Sequence, residues 1–172
     1  DGSRVIFADI SFQYHSPGVF CILGTNGTGK STLLKCIIAE LSPQKGKVFI
    51  DDLEAGAYSA RQLARKIAYI PQNHYPTFPF PVLDIVMMGR TSRMGYLANP
   101  GKMEREIALE TLEFLKIAHL KDQPYTDISG GERQLVMIAS ALAQEPELLI
   151  LDEPTAHLDF GNQYRFIQLV KE

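Results

Sequence analysis

Along the chain, short runs that are apolar throughout alternate with longer stretches in which apolar residues recur every third or fourth position. The runs "VFCIL" (19–23) and the apolar centre of "ELLILD" (147–152) carry no polar alternation, the pattern of a strand buried on both faces. The segments "VIFADISF" (5–12), "KVFI" (47–50) and "IAYI" (67–70) are rich in β-branched and aromatic residues and predict further strands. Helical spacing runs from Lys30 to Leu41, with Leu33, Leu34, Ile37, Ile38 and Leu41 on one stripe. Shorter helices are predicted over 59–66 and over 82–89, the second with Pro81 near its first turn. Residues 102–120 form an amphipathic pattern. Met103, Ile107, Leu112 and Leu115 face one way, and Glu104, Arg105, Glu106, Glu110 and Glu113 supply a solvated side. A glycine turn opens a helix over 129–143, and a last helix begins in "GNQYRFIQLVKE". Strands alternating with helices predict an α/β fold with a mainly parallel sheet under helical cover.

Composition narrows the class. The 172 residues suit one domain with a sizeable core, and 45% hydrophobic with 22% charged residues is ordinary for a soluble globular chain. A net charge of −3 argues against a dedicated nucleic-acid binder, and no nucleic-acid partner is expected. No apolar run approaches the ~18 residues of a membrane span, and "DGSRVIFADI" lacks the layout of a signal peptide. The expectation is a cytosolic chain whose membrane role comes through a partner. Cys21 and Cys36 are expected as buried thiols, and the four histidines show no metal-ligand spacing.

Candidate chemistry begins at Gly24-Thr25-Asn26-Gly27-Thr28-Gly29-Lys30-Ser31, which fits G-x-x-x-x-G-K-[ST] between an apolar run and an amphipathic helix. Glycines let successive N–H groups turn inward around phosphate oxygens. The helix start presents unsatisfied N–H groups and a partial positive charge to the same anion. Lys30 adds a full charge against β- and γ-phosphates, and Ser31 offers a hydroxyl to Mg²⁺. In "LLILDEP" the apolar run carries Asp152 and Glu153 to the carboxyl edge of the sheet, where open α/β sheets bind ligands. Asp152 is suited to the Mg²⁺ shell and Glu153 to polarising an attacking water as general base.

With "ISGGERQ" (128–134) added, the sequence resembles the ATP-binding subunit of ABC transporters over nearly its whole length. "GTNGTGKST", ending at Thr32, resembles the Walker A loop and "LLILDEP" the Walker B strand. "ISGGERQ" resembles the LSGGQ signature, "TAHLD" with Asp159 the D-loop, Gln72 the Q-loop glutamine and Tyr14 the aromatic residue that stacks on adenine. The resemblance implies an ABC-type P-loop NTPase with a mainly parallel sheet core, an antiparallel β part and a helical subdomain at about 72–145 inserted in the core. It further implies a head-to-tail homodimer, each ATP lying between one subunit's phosphate loop and Ser129, Gly130, Gly131 and Glu132 of the other. Glu153, Gln72 and Lys30 are then the catalytic candidates, and Ser31, Gln72 and Asp152 the Mg²⁺ ligands. Ile128 and Glu132 replace the usual leucine and glutamine of the signature and are expected to be tolerated; His157 reads as a variable D-loop position.

Two departures concern completeness. The family's switch histidine follows a further strand, and the chain stops at Glu172 before it; a strand and turn are also expected between Tyr14 and Gly24. Both imply a truncated form of one ABC domain spanning 1–172, incomplete at its C-terminus. "VLDIVMMGR" resembles the subgroup serving iron–siderophore, haem and cobalamin importers, with a molybdate and tungstate branch. That implies an importer ATPase on the cytoplasmic face of the membrane. Its partners would be a polytopic permease and, indirectly, a periplasmic or extracellular substrate-binding protein. Proline-stiffened turns, Tyr75, Phe78 and Phe80 suit a docking surface for the permease. A soluble ABC ATPase of DNA repair or translation, and a nucleotide-binding module with little hydrolysis, are the competing readings.

Overall fold

The computed structural model describes residues 5–15, 17–72, 78–95 and 98–154. Helix α1 (Lys30–Ile37) follows the glycine loop. A small antiparallel hairpin, β1 (Phe49–Ile50) and β2 (Leu53–Glu54), comes next, with Phe49 opposite Glu54. Helix α2 (Ala60–Lys66) leads directly into β3 (Ile67–Ile70). Helices α3 (Val82–Met88), α4 (Lys102–Phe114) and α5 (Gly130–Ala143) follow, and the chain then enters β4 (Leu148–Leu151). Strands β3 and β4 pair in parallel, Ile67 opposite Leu148 through Ile70 opposite Leu151. The Asp152 N–H donates to the Ile70 carbonyl at 3.0 Å, carrying the ladder one step past β4.

Local chemistry explains the boundaries. Ser59 caps α2 by accepting the Gln62 N–H, and the Gln62 side chain accepts the Ser59 N–H in return. The pattern predicted one helix over 102–120, but α4 ends at Phe114, because Lys116 turns left-handed with φ 60°. A short 3-10 turn then covers 118–120. Likewise α1 stops before Leu41, with Ala39 at φ 56°.

The main core joins the sheet to the helices: Ala68 and Ile70 of β3 pack with Val82, Leu83 and Val86, with Ala108 and Leu112, and with Val136, Ile138 and Ala139. Helices α3 and α5 approach closely at Gly89, where an added Cβ would fall 2.0 Å from the Ser140 carbonyl oxygen. A second cluster seats α1 on the sheet through Leu63, Ile67 and Ile150 against Leu34, Ile37 and Ile38. Basic side chains close the C-terminus of α5. Arg90 Nη1 donates to the Ala143 carbonyl at 2.8 Å and to Glu145 at 2.6 Å, and Arg93 Nε to the Gln144 carbonyl at 3.1 Å. Gln144 Nε2 bridges the Ala64 and Ile67 carbonyls, tying the entrance of β4 to that of β3.

Several expectations from the pattern fail. Residues 5–12 and 19–23 are not strands, and Val19, Phe20 and Leu23 are exposed rather than sandwiched. An apolar run supplies the side chains of a buried strand but not its neighbour, and among the described residues β3 and β4 pair only with each other. Cys21, in that run, is therefore exposed, while Cys36 is buried as expected. On α4 Met103 is exposed, and Glu104 is buried instead of solvated, its carboxylate accepting the Gly101 N–H at 2.9 Å. The last helix, Tyr75, His157 and Asp159 lie outside the described residues. No helix among the described residues is long and apolar enough to cross a membrane.

Candidate functional site

The register of β3 against β4 decides what meets at their carboxyl ends. Ile70 stands opposite Leu151, so Gln72 and Glu153 leave adjacent strands at the same height. Gln72 Nε2 donates to Glu153 Oε2 at 2.6 Å. Glu153 has a left-handed backbone, φ 49°, a conformation that costs a residue bearing a Cβ about 1–2 kcal/mol. Its other oxygen lies 3.7 Å from Lys30 Nζ. Residues far apart in the chain thus converge on one carboxylate.

Lys30 is held from its own loop as well. Its ammonium donates to the Gly24 carbonyl at 2.9 Å and the Thr25 carbonyl at 3.1 Å. The Thr28 hydroxyl donates to the Thr25 carbonyl at 2.9 Å. Gly29 caps α1 at φ 93°, and a Cβ there would lie 2.5 Å from the Ile6 side chain, so both backbone angle and space demand glycine. No side chain caps α1, so its first N–H groups have no side-chain acceptor at the end of the glycine loop. Ser31 and Thr32, half-buried, occupy that first turn, and Asn26 and Gly27 sit exposed at the loop's tip. An apolar cleft of about 280 Å³ lined by Phe7, Ile10, Ile22, Leu23 and Leu33 opens beside Gly24, Thr28, Gly29 and Lys30.

Asp152 is buried, and its carboxylate accepts one long hydrogen bond, 3.4 Å, from the Tyr69 hydroxyl. Burial, then the Asp152 charge, push the Tyr69 hydroxyl up to about 12, so it remains a donor at neutral pH. Asp152 keeps acceptor capacity, and Gln72 keeps its amide oxygen, because its nitrogen serves Glu153. With the Ser31 hydroxyl, these hard oxygen donors fit Mg²⁺.

The signature residues gather at the start of α5. The Ser129 hydroxyl and N–H both donate to the Glu132 carboxylate, and Ser129 Oγ accepts the Glu132 N–H. No hydrogen bond or ion pair among the described residues links them to Lys30, Gln72 or Glu153. Tyr14 is also separate: exposed, with its ring tilted against Phe20 at 5.6 Å. Phe78 and Phe80, expected to serve docking, stand exposed with their rings 5.9 Å apart.

The family model described as "ABC transporter" matches residues 7–156. The chain belongs to the ABC transporter ATP-binding family. An ABC transporter ATP-binding protein of Haemophilus influenzae is 44% identical over 169 residues, covering 98% of this chain and 64% of the relative. The "Probable iron chelatin transport ATP-binding protein" of Helicobacter pylori is 38% identical over 170 residues, covering 98% of this chain and 67% of the relative. Among solved structures, an inward-facing ABC transporter classed as of metal-chelate type is similar at TM-score 0.74 and 38% identity, over 86% of this chain and 54% of that one. The dimeric structure of a bacterial ABC transporter cassette is similar at TM-score 0.71 and 30% identity, over 86% and 65%. The chain thus spans about two thirds or less of the length of these ABC proteins.

Sequence reasoning missed Tyr69, the partner of Asp152, although its place near the end of β3 was a signal that it lies beside the second strand end. It also missed Arg90, Arg93 and Gln144, which position β4; nothing in their local pattern marks them.

Proposed function

We propose that this chain is the ATP-hydrolysing domain of an ABC importer for metal chelates, of the iron–siderophore, haem or cobalamin type. The observation that carries the reading is the meeting of Lys30, Gln72 and Glu153, from three separate segments, beside an uncapped helix start. A triphosphate entering the loop draws the Lys30 ammonium away from Glu153 and from the Gly24 and Thr25 carbonyls. The α1 N–H groups take the phosphate oxygens. Glu153, released, accepts a proton from the attacking water that Gln72 orients. Ser31, Asp152 and Gln72 would hold a Mg²⁺ ion, which when bound would neutralise charge on the phosphates.

The chemistry is completed by a second copy, whose Ser129 and α5 N-terminus close over the γ-phosphate in a head-to-tail homodimer. The likeness to a dimeric cassette supports this assembly. In this reading residues 1–172 belong to one ATP-binding domain, with about 72–145 as a helical subdomain inserted in its core. It works on the cytoplasmic face of the membrane through a polytopic permease, and a substrate-binding protein delivers the cargo. The name of the Helicobacter relative supports a chelate cargo.

The test is purification of the complete protein with its membrane partner. ATP turnover that is present in the complex and lost in Lys30→Ala, together with weakened ATP binding, is expected. Turnover independent of any membrane protein would favour a soluble ABC ATPase, and unaltered ATP affinity in Lys30→Ala would remove the phosphate cradle.

A further inference from the structure

The one hydroxyl proton of Ser129 is already committed. Ser129 Oγ donates to Glu132 Oε2 at 2.6 Å, the Ser129 N–H donates to the same oxygen at 2.8 Å, and Oγ accepts the Glu132 N–H at 3.3 Å. Glutamine, which the signature resemblance sets at 132, closes the same ring, since its amide oxygen accepts as a carboxylate oxygen does. What glutamate adds is a full negative charge. The Ser129 hydroxyl, then its N–H, hold the carboxyl below its ordinary range, with His119 assisting, so the charge is present at neutral pH. No lysine or arginine among the described residues pairs with Glu132, and the nearby Arg133 guanidinium is turned to the Thr126 carbonyl. Ser129 and Gly130 are exposed, so the full charge stands beside an open face, offset among the described residues only by the partial positive charge of the α5 N-terminus and by His119.

We propose that Glu132 is an electrostatic brake on closure of the ATP sandwich. Its carboxylate retains the Ser129 proton within the chain and repels the triphosphate carried by the second copy. The inference rests on the trans role proposed for Ser129. Glu132 acts through Ser129 and on assembly, and is therefore a positioning residue. Closure has to transfer the hydroxyl proton from carboxylate to phosphate as hydrogen-bond acceptor, against a like charge. The brake weakens the closed form and eases reopening once the γ-phosphate has left.

The experiment measures ATP-dependent dimerisation of the complete protein by sedimentation velocity, in the hydrolysis-blocked Glu153→Gln background, with and without Glu132→Gln. The dimer dissociation constant is expected to fall about tenfold or more in the double variant at low salt. The gap should narrow as ionic strength rises and the Debye length shortens. That salt dependence separates a charge effect from an altered helix cap, which salt would leave in place. An equal or weaker dimer in the double variant, or a gap indifferent to salt, overturns the brake and leaves the sandwich reading standing. Absence of any ATP-dependent dimer in the Glu153→Gln parent overturns the sandwich reading, and the brake falls with it.

Discussion

Replacing Glu153 with glutamine removes a charge while keeping a hydrogen bond. Gln72 Nε2, now 2.6 Å from a carboxylate oxygen, can donate equally to an amide oxygen. What disappears is the attraction between Lys30 Nζ and Glu153 across 3.7 Å. A unit pair at that separation interacts by about 4.5 kcal/mol at an effective dielectric of 20. The side chains are 17% and 32% exposed, so screening, desolvation and side-chain ordering leave about 1 kcal/mol net. In the proposed binding mode ATP breaks this pair to reach Lys30. Its removal should therefore tighten ATP binding about fivefold, and, with Glu153 as the proposed general base, should lower turnover by about a hundredfold or more. Equilibrium titration with a fluorescent ATP analogue, beside a phosphate-release assay, measures both. An affinity unchanged or reduced in the variant would show that Glu153 does not compete for Lys30, and unchanged turnover would remove it as the base.

Gly89→Ala should destabilise the fold by about 1–3 kcal/mol or more, because its Cβ would meet the Ser140 backbone oxygen at 2.0 Å and a backbone cannot rotate aside; urea unfolding measures the loss. Gln144→Leu should cost about 1–3 kcal/mol in the same assay, since the Ala64 and Ile67 carbonyls lose their shared donor at a partly buried site. Glu132 and Glu145 both have carboxyls lowered from 4.5 in the folded chain, by Ser129 and Arg90 respectively. Their stabilisation is present above that ordinary value and lost as pH falls through the lowered ones. Thermal melts from pH 7 to 3 should show the decline, and Glu145→Gln should flatten part of it.

Much of the site was legible because its motifs are local. The glycine loop, the cap at Ser129 and the acids after an apolar run each follow from a few neighbouring residues whose backbone conformation or helix start is set within one turn. The helices over 82–88 and 130–143 were legible for the same reason, since an amphipathic stripe repeats along a single segment. The runs at 5–12 and 19–23 misled, because strand formation needs a hydrogen-bonded neighbour that no periodicity names. Cys21 followed its run to the surface, and Glu104 went inward because one N–H at Gly101 claimed its carboxylate.

By itself the sequence determined the inventory: a phosphate loop, a glutamine after one strand, a carboxylate after another, and a serine heading a helix. These depend on residue type and short spacing, which the chain carries wherever it folds. Only the tertiary structure decided that Lys30, Gln72 and Glu153 share one carboxylate, and that Tyr69 rather than a basic residue faces Asp152. The reason is register. Parallel pairing of β3 with β4, locked at its entrance by Gln144, sets which side chains emerge together more than seventy positions apart, and a slip of one residue would turn each to the opposite face.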